Sequence, residues 1–114
     1  MPRAMSFGLT EQAFVRGAKD VTRRLGWVDA REGDVYVAVR KCMGLAKGER
    51  QHRLGLVRVV SVRRERLDTI TADDVRREGF PDWAPADFVE FFCKANKCTP
   101  TTLVTRIVFA REPS

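Results

Sequence analysis

Gly17-Ala18-Lys19-Asp20-Val21-Thr22-Arg23-Arg24 joins a short helical pattern to an extended one. A glycine opens the stretch, and four of its residues, Lys19, Asp20, Arg23 and Arg24, carry charge. If the backbone turns at Gly17 and then extends, Lys19, Thr22 and Arg24 converge. Thr22 and Arg24 lie two apart and point the same way on a strand. An ammonium whose charge can be tuned, a hydroxyl and a fixed guanidinium suit a phosphate or the polar edge of a base. The plainer alternative is a solvated basic turn.

On the N-terminal side, Phe7 reads as part of a short first strand. Thr10 reads as a helix N-cap with Glu11 in the first turn. Ala13 and Phe14 give the helix one apolar face, and Gly17 suits the position just past its end. On the C-terminal side, Leu25-Gly26-Trp27-Val28 is apolar and broken by glycine. Trp27 covers the core, or offers a face on which an unpaired base stacks. Arg31-Glu32-Gly33-Asp34 is a turn, and Val35-Tyr36-Val37-Ala38-Val39 alternates like a strand.

Lys41 to Arg53 is expected to be a basic hairpin loop with a mobile tip. A long strand from about Arg53 to Arg64 follows. Leu54, Leu56, Val60 and Val62 share one parity, and so does Arg58. Either Arg58 points into a polar cavity or a β-bulge resets the phase; the bulge is the preferred reading. Thr71 and Asp74 have the spacing of a capping box, with aspartate in place of glutamate. The helix they open ends near Gly79. Pro85 starts another helix, with Phe88, Val89, Phe91, Phe92 and Ala95 on its apolar face and Asn96 closing it. Thr102 to Phe109 is the last strand. The pattern is α+β, with four or five strands and three short helices.

The 114 residues fit one domain over residues 1–114 with one modest core. With 44% hydrophobic and 32% charged residues, the chain is globular rather than disordered. A net charge of +6 favours a polyanionic partner. No apolar run approaches a membrane span, and Met1 to Ser6 has no signal-peptide core. Three cysteines without an export signal point to a reduced, cytoplasmic protein.

Gly-x-Lys-x-x-Thr-x-Arg after a short helix resembles the signature of the ASCH family, small domains with a PUA-like mixed β-barrel. Gly33-Asp34 before a strand is similar too. So are Lys41-Cys42-Met43-Gly44-Leu45, Arg76-Arg77-Glu78-Gly79-Phe80-Pro81 and Val104-Thr105-Arg106-Ile107, which resemble phage-type and bacterial members. The resemblance covers nearly the whole chain. It implies a small PUA-like barrel with about three short helices.

It also implies a chemistry. Some members of that family are amidohydrolases acting on cytidine acylated at its exocyclic amine, with a lysine, a threonine and a glutamate as the proposed catalytic groups. By position these are Lys19, Thr22 and Glu78. Threonine would attack the amide carbonyl, lysine would act as its base, and glutamate would pass a proton to the leaving amine. An arginine would steady the oxyanion. Lysine is a base only where burial lowers its pKa. The alternative is that these residues only bind, or that Glu78 merely pairs with a basic neighbour.

Two further constellations remain. Cys93 and Cys98 are spaced C-x4-C, with Cys42 distant and His52 the only histidine. Four such ligands would suit zinc, but the strong signal is paired C-x2-C, and Cys93 beside Phe91 and Phe92 reads as a small hydrophobe. No metal site is expected. No cofactor is expected either, since there is no Gly-x-Gly-x-x-Gly and no P-loop. Arg23, Arg24, Arg40, Lys41, Lys47, Arg50, Arg53, Arg63, Arg64 and Arg66 could line one phosphate-binding face, or be solvated exterior.

The expectation is a nucleic-acid-binding domain that prefers RNA or an unpaired strand. Its base or nucleoside pocket would be formed by Gly17, Lys19, Thr22, Arg23, Arg24, Trp27 and Arg58. A small hydrolase, either an acylated-cytidine amidohydrolase or a ribonuclease, is the first alternative. A basic protein-interaction module is the second.

Overall fold

Five strands and three α-helices form in the computed structural model, which describes residues 3–41 and 52–112. In chain order they are β1 (Ala4–Ser6), α1 (Glu11–Val15), β2 (Val21–Arg24), β3 (Val35–Val39), β4 (Arg53–Arg66), α2 (Ala72–Arg77), α3 (Pro85–Asn96) and β5 (Leu103–Glu112). Short 3₁₀ turns at Gly8–Thr10 and Leu67–Thr69 precede α1 and α2. The expected loop from Lys41 to Arg53 lies largely outside the described residues, so only its ends can be placed.

The sheet runs β1-β3-β4-β5-β2, with β1 parallel to β3 and every other pair antiparallel. It is an open sheet. Among the described residues no ladder joins its edges β1 and β2, so the expected barrel is not closed. The α+β class holds, as a mixed five-stranded sheet with three helices.

Each helix stops where the backbone turns left-handed. Gly17 (φ +76°) follows α1, where Gly17 N–H donates to Phe14 O and Ala18 N–H to Ala13 O. Gly79 (φ +110°) follows α2 with the matching pair of bonds, to Arg76 O and Val75 O. These are Schellman ends, which satisfy the last carbonyls of a helix. Lys97 (φ 52°) does the same for α3 without the freedom of glycine. Thr71 Oγ1 accepts from Asp74 N–H at 3.1 Å, as a cap should. The reciprocal bond of a capping box is missing because Asp74 uses its carboxylate elsewhere. Thr10 makes no side-chain cap.

β4 runs two residues further than expected, to Arg66, and its phase changes twice. Register shifts fall opposite Ala38/Val39 and between Val59 and Ser61. Leu54 and Val62 therefore pack on the same core as buried Val57 and Val59, while Arg58 and Val60 face outward. The bulge reading was right, because each extra residue flips the pleat. β5 continues to Glu112, three residues past the expected end.

Two apolar clusters result. One lies under β1, β3, β4 and β5, where the rings of Phe7 and Phe14 stack at 4.6 Å and Phe109 closes the group. The other joins α3, through Phe88 and Phe92, to Leu67, Ile70, Val75 and Val104. β5 serves both, because Ile107 and Phe109 have opposite parity to Val104.

Candidate nucleoside pocket

A cavity of about 320 Å³ opens between the two unpaired sheet edges. Ser6 and Phe7 at the end of β1 line one side. Thr22, Arg24 and Leu25 of β2 line another, and Phe80 with the aromatic face of α3 closes it. Lys19, Arg23, Glu78, Trp27 and Asn96 also reach it.

The polar floor is built where the turns that end α1 and α2 meet. The Schellman end of α1 releases the chain toward Lys19. Asp20 N–H then donates to Arg77 O at 3.0 Å, and Arg77 Nε holds the Asp20 carboxylate at 2.9 Å. This pins the end of α2 beside the octapeptide. Gly79 permits the approach, since a Cβ there would lie 2.8 Å from Ala13 Cβ. The result places Glu78 against Lys19.

Lys19 is 4% exposed and Glu78 3%. Lys19 Nζ donates to Glu78 Oε1 at 2.7 Å and to the Glu78 carbonyl at 2.8 Å. Burial pushes the Lys19 pKa down, against the pull of the Glu78 carboxylate. Thr22, on the strand that follows, is buried, and its Oγ1 accepts from Arg24 Nε at 3.1 Å. That bond is the shared-face geometry expected of positions two apart. The Arg24 guanidinium also lies 4.9 Å above the Phe7 ring and so bridges the gap between the sheet edges.

Arg23 points to the other face and does something different. It is 4% exposed. Its guanidinium donates to Glu78 Oε2 at 3.2 Å, Asp74 Oδ2 at 2.5 Å and Glu65 Oε2 at 3.0 Å. Arg106 sits opposite it on β5 and grips Asp74 with bonds of 2.6 and 3.0 Å. Two arginines directly across a ladder repel, and Asp74 between them removes the repulsion. Arg106, foremost, and Arg23 hold the Asp74 carboxyl well below the usual carboxylate range. Arg23 is thus part of a buried ionic girder, not a surface contact for phosphate. Its Nε is the one buried side-chain polar atom left without a partner among the described residues.

Trp27 lines the pocket in a left-handed conformation, φ 53°, which costs a bulky residue about 1–2 kcal/mol. Arg3 lies 3.6 Å over its ring, and the edge of Tyr36 meets it at 5.1 Å. Gly17 acts through its backbone and is not a wall of the cavity. Arg58 is not brought to the site. Half-exposed on β4, it donates to Gly33 O and pairs with Glu112.

The basic face is also altered. Arg40, Arg63 and Arg66 pair with Glu11, Glu65 and Asp68. Arg64 donates to Thr105 Oγ1 and Gly26 O. Lys47 and Arg50 fall outside the described residues. Cys93 and Cys98 adjoin at the end of α3, His52 is exposed before β4, and Cys42 is outside the described residues.

Sequence reading missed the aromatic wall and the girder. Phe88, Phe91 and Phe92 read only as core, and Phe80 only as part of the segment that resembles other family members. Asp74 read only as a cap residue, although its place three residues before Arg77-Glu78 linked it to the same turn.

No protein-family model and no curated protein matches the chain. Among solved structures, an Enterococcus faecalis V583 protein of family DUF984 aligns with a TM-score of 0.68 at 17% identity, covering 98% of this chain and 77% of that one. An ASCH domain from Lactobacillus crispatus JV V101 aligns with a TM-score of 0.65 at 17% identity, covering 96% of this chain and 78% of that one. The chain has the fold of these proteins, and the expected ASCH-type arrangement is the one found. At this identity the likeness is one of fold. No helix among the described residues is long and apolar enough to cross a membrane.

Proposed function

We propose that the cavity between β1 and β2 takes a single nucleobase or nucleoside, alone or at an unpaired position in an RNA or other single strand. The observation that carries this reading is the composition of one pocket: an aromatic wall beside Lys19, Thr22 and Glu78. Small-molecule sites have volumes of about 300–1,000 Å³ and are apolar with few polar groups; this one has about 320 Å³. Aromatic faces bind planar bases of any sequence, and the polar groups read an edge. Several outward arginines already hold carboxylates, which favours the pocket over a broad phosphate face as the source of affinity.

The reading is tested by titrating nucleosides and short unpaired oligonucleotides into the labelled protein at two salt concentrations. Saturable nucleoside binding that moves the Trp27 and Thr22 signals and changes little with salt is expected. Oligonucleotide binding that vanishes with salt, with no nucleoside binding, would contradict it.

A second reading is hydrolysis of an acylated exocyclic amine. It is favoured by the Lys19–Glu78 bond of 2.7 Å and by the lowered Lys19 pKa. Thr22 Oγ1 would form a bond to the acyl carbon while its proton passes to Lys19 or Glu78. The C–N bond would break as that proton reaches the amine, and water would release the acid. The Arg24 donor would stabilise Thr22 as an alkoxide. Chromatographic assay of a cytidine acylated at that amine is the check. Turnover abolished in both Lys19→Ala and Thr22→Val establishes this reading, and no turnover leaves the pocket a binding site.

A further inference from the structure

At the far end of α3 the helix stops differently from its two neighbours. α1 and α2 end on Gly17 and Gly79, whereas α3 ends on Lys97, a non-glycine residue held at φ 52° and ψ 52°. The turn made by Lys97 folds the chain back, so that Cys98 N–H donates to Cys93 O at 3.2 Å. This six-to-one bond is the mark of a Schellman end, in which the side chains of the two bonded residues usually touch. Here both are cysteines. Both are half-buried against the α3 cluster. Burial, and after it the neighbouring Cys98 thiol, push the Cys93 pKa up.

We propose that Cys93 and Cys98 are a thiol–disulfide exchange site, which closes to an intramolecular disulfide against a small-molecule disulfide and reopens with the matching thiol. A disulfide spans α-carbons roughly 4.4–6.8 Å apart, and the hydrogen bond from Cys98 N–H to Cys93 O brings the backbones of these two residues together. Access is provided by an apolar cleft of about 570 Å³, on whose wall Cys93 lies with Pro85, Val89 and Pro100.

The exchange balances without any other reagent. One protein thiolate attacks a sulfur of the small disulfide, forming a mixed disulfide and expelling one thiolate, which takes up the proton released. The second protein thiol then attacks the protein-bound sulfur and expels the second small thiol. Two protein S–H bonds and one small S–S bond are replaced by one protein S–S bond and two small S–H bonds. The site involves none of the residues of the nucleoside reading and stands apart from it.

The test uses the full chain, equilibrated in glutathione buffers of rising oxidised-to-reduced ratio, then alkylated and digested with trypsin. Cleavage after Lys94 and Lys97 leaves the two cysteines on separate peptides, Glu78–Lys94 and Cys98–Arg106, joined only if the bond has formed. The joined peptide should appear at a ratio at least tenfold lower in the native protein than in the same protein in denaturant. Dithiothreitol should abolish it, and Cys98→Ser should carry glutathione on Cys93 instead. Equal ratios in the native and denatured states, separate glutathione adducts on both cysteines with no joined peptide, or a bond to Cys42 would each overturn the proposal.

Discussion

Two sets of ion pairs in this molecule use the same residue types to different ends. On the outside, Arg66 holds Asp68, Arg76 holds Asp73 and Arg40 holds Glu11, with the arginine side chains half-exposed or more. Beside the pocket, Lys19, Arg23 and Arg106 meet Glu65, Asp74 and Glu78, with Lys19, Arg23 and Glu78 almost fully buried. Water screens the first set, and each pair stands alone. The second set is a chain in which each carboxylate serves at least two cations, Glu65 holding the exposed Arg63 as well as Arg23, so removing one member strands the others. The outer pairs decorate the sheet; the inner chain ties α2 to β2 and β5, and by doing so fixes where Glu78 meets Lys19.

The contrast is broken most severely at Asp74. Asp74→Ala leaves Arg23 and Arg106 facing one another in the interior, and should cost about 3–5 kcal/mol of stability in a denaturant titration. The same carboxylate has a pH signature. Its folded pKa lies below the unfolded value, so its contribution is fully present above the ordinary aspartate range and is lost as pH falls below it. Stability of the wild type should therefore fall as the solution is acidified below pH ~4, and Asp74→Asn should flatten that dependence.

Gly79→Ala should rank second. It forces a side chain into φ +110° and into contact with Ala13 Cβ at 2.8 Å, for a loss of about 2 kcal/mol measured in the same way. Thr22→Val is smaller and of another kind. It keeps the shape of β2 but removes the acceptor of Arg24 Nε. Nucleoside affinity should fall by roughly five- to tenfold, about 1 kcal/mol, with the melting temperature little changed. Arg66→Ala and Asp73→Ala should give no measurable change in stability. A large effect there would erase the distinction between the two sets of pairs.

Much of the frame was legible in the sequence. Hydrophobic period placed the strands and helices, and Gly17 and Gly79 marked two helix ends by their freedom to turn left-handed. The spacing of Thr22 and Arg24 gave their shared face. The long strand was harder, because the sequence suggested one bulge without placing it and gave no sign of the second; Arg58 was kept among the pocket residues and lies outside the pocket. Arg23 and Arg24 look equivalent in sequence, and only pairing with β5 shows that one faces the acidic turn of α2. The aromatic wall was hidden for a similar reason. Phe88 and Phe92 line the core and the cavity at once, and helical spacing cannot distinguish a residue that does both from one that does the first alone.

The most direct test of the account is a crystal structure of the protein soaked with a panel of nucleosides at saturating concentration. The account predicts a base lodged between Phe7 and the aromatic face of α3, with its polar edge on Lys19, Thr22 or Glu78. A nucleoside bound instead on the outer face of β4 near Arg58, with the cavity between the sheet edges empty, would contradict it.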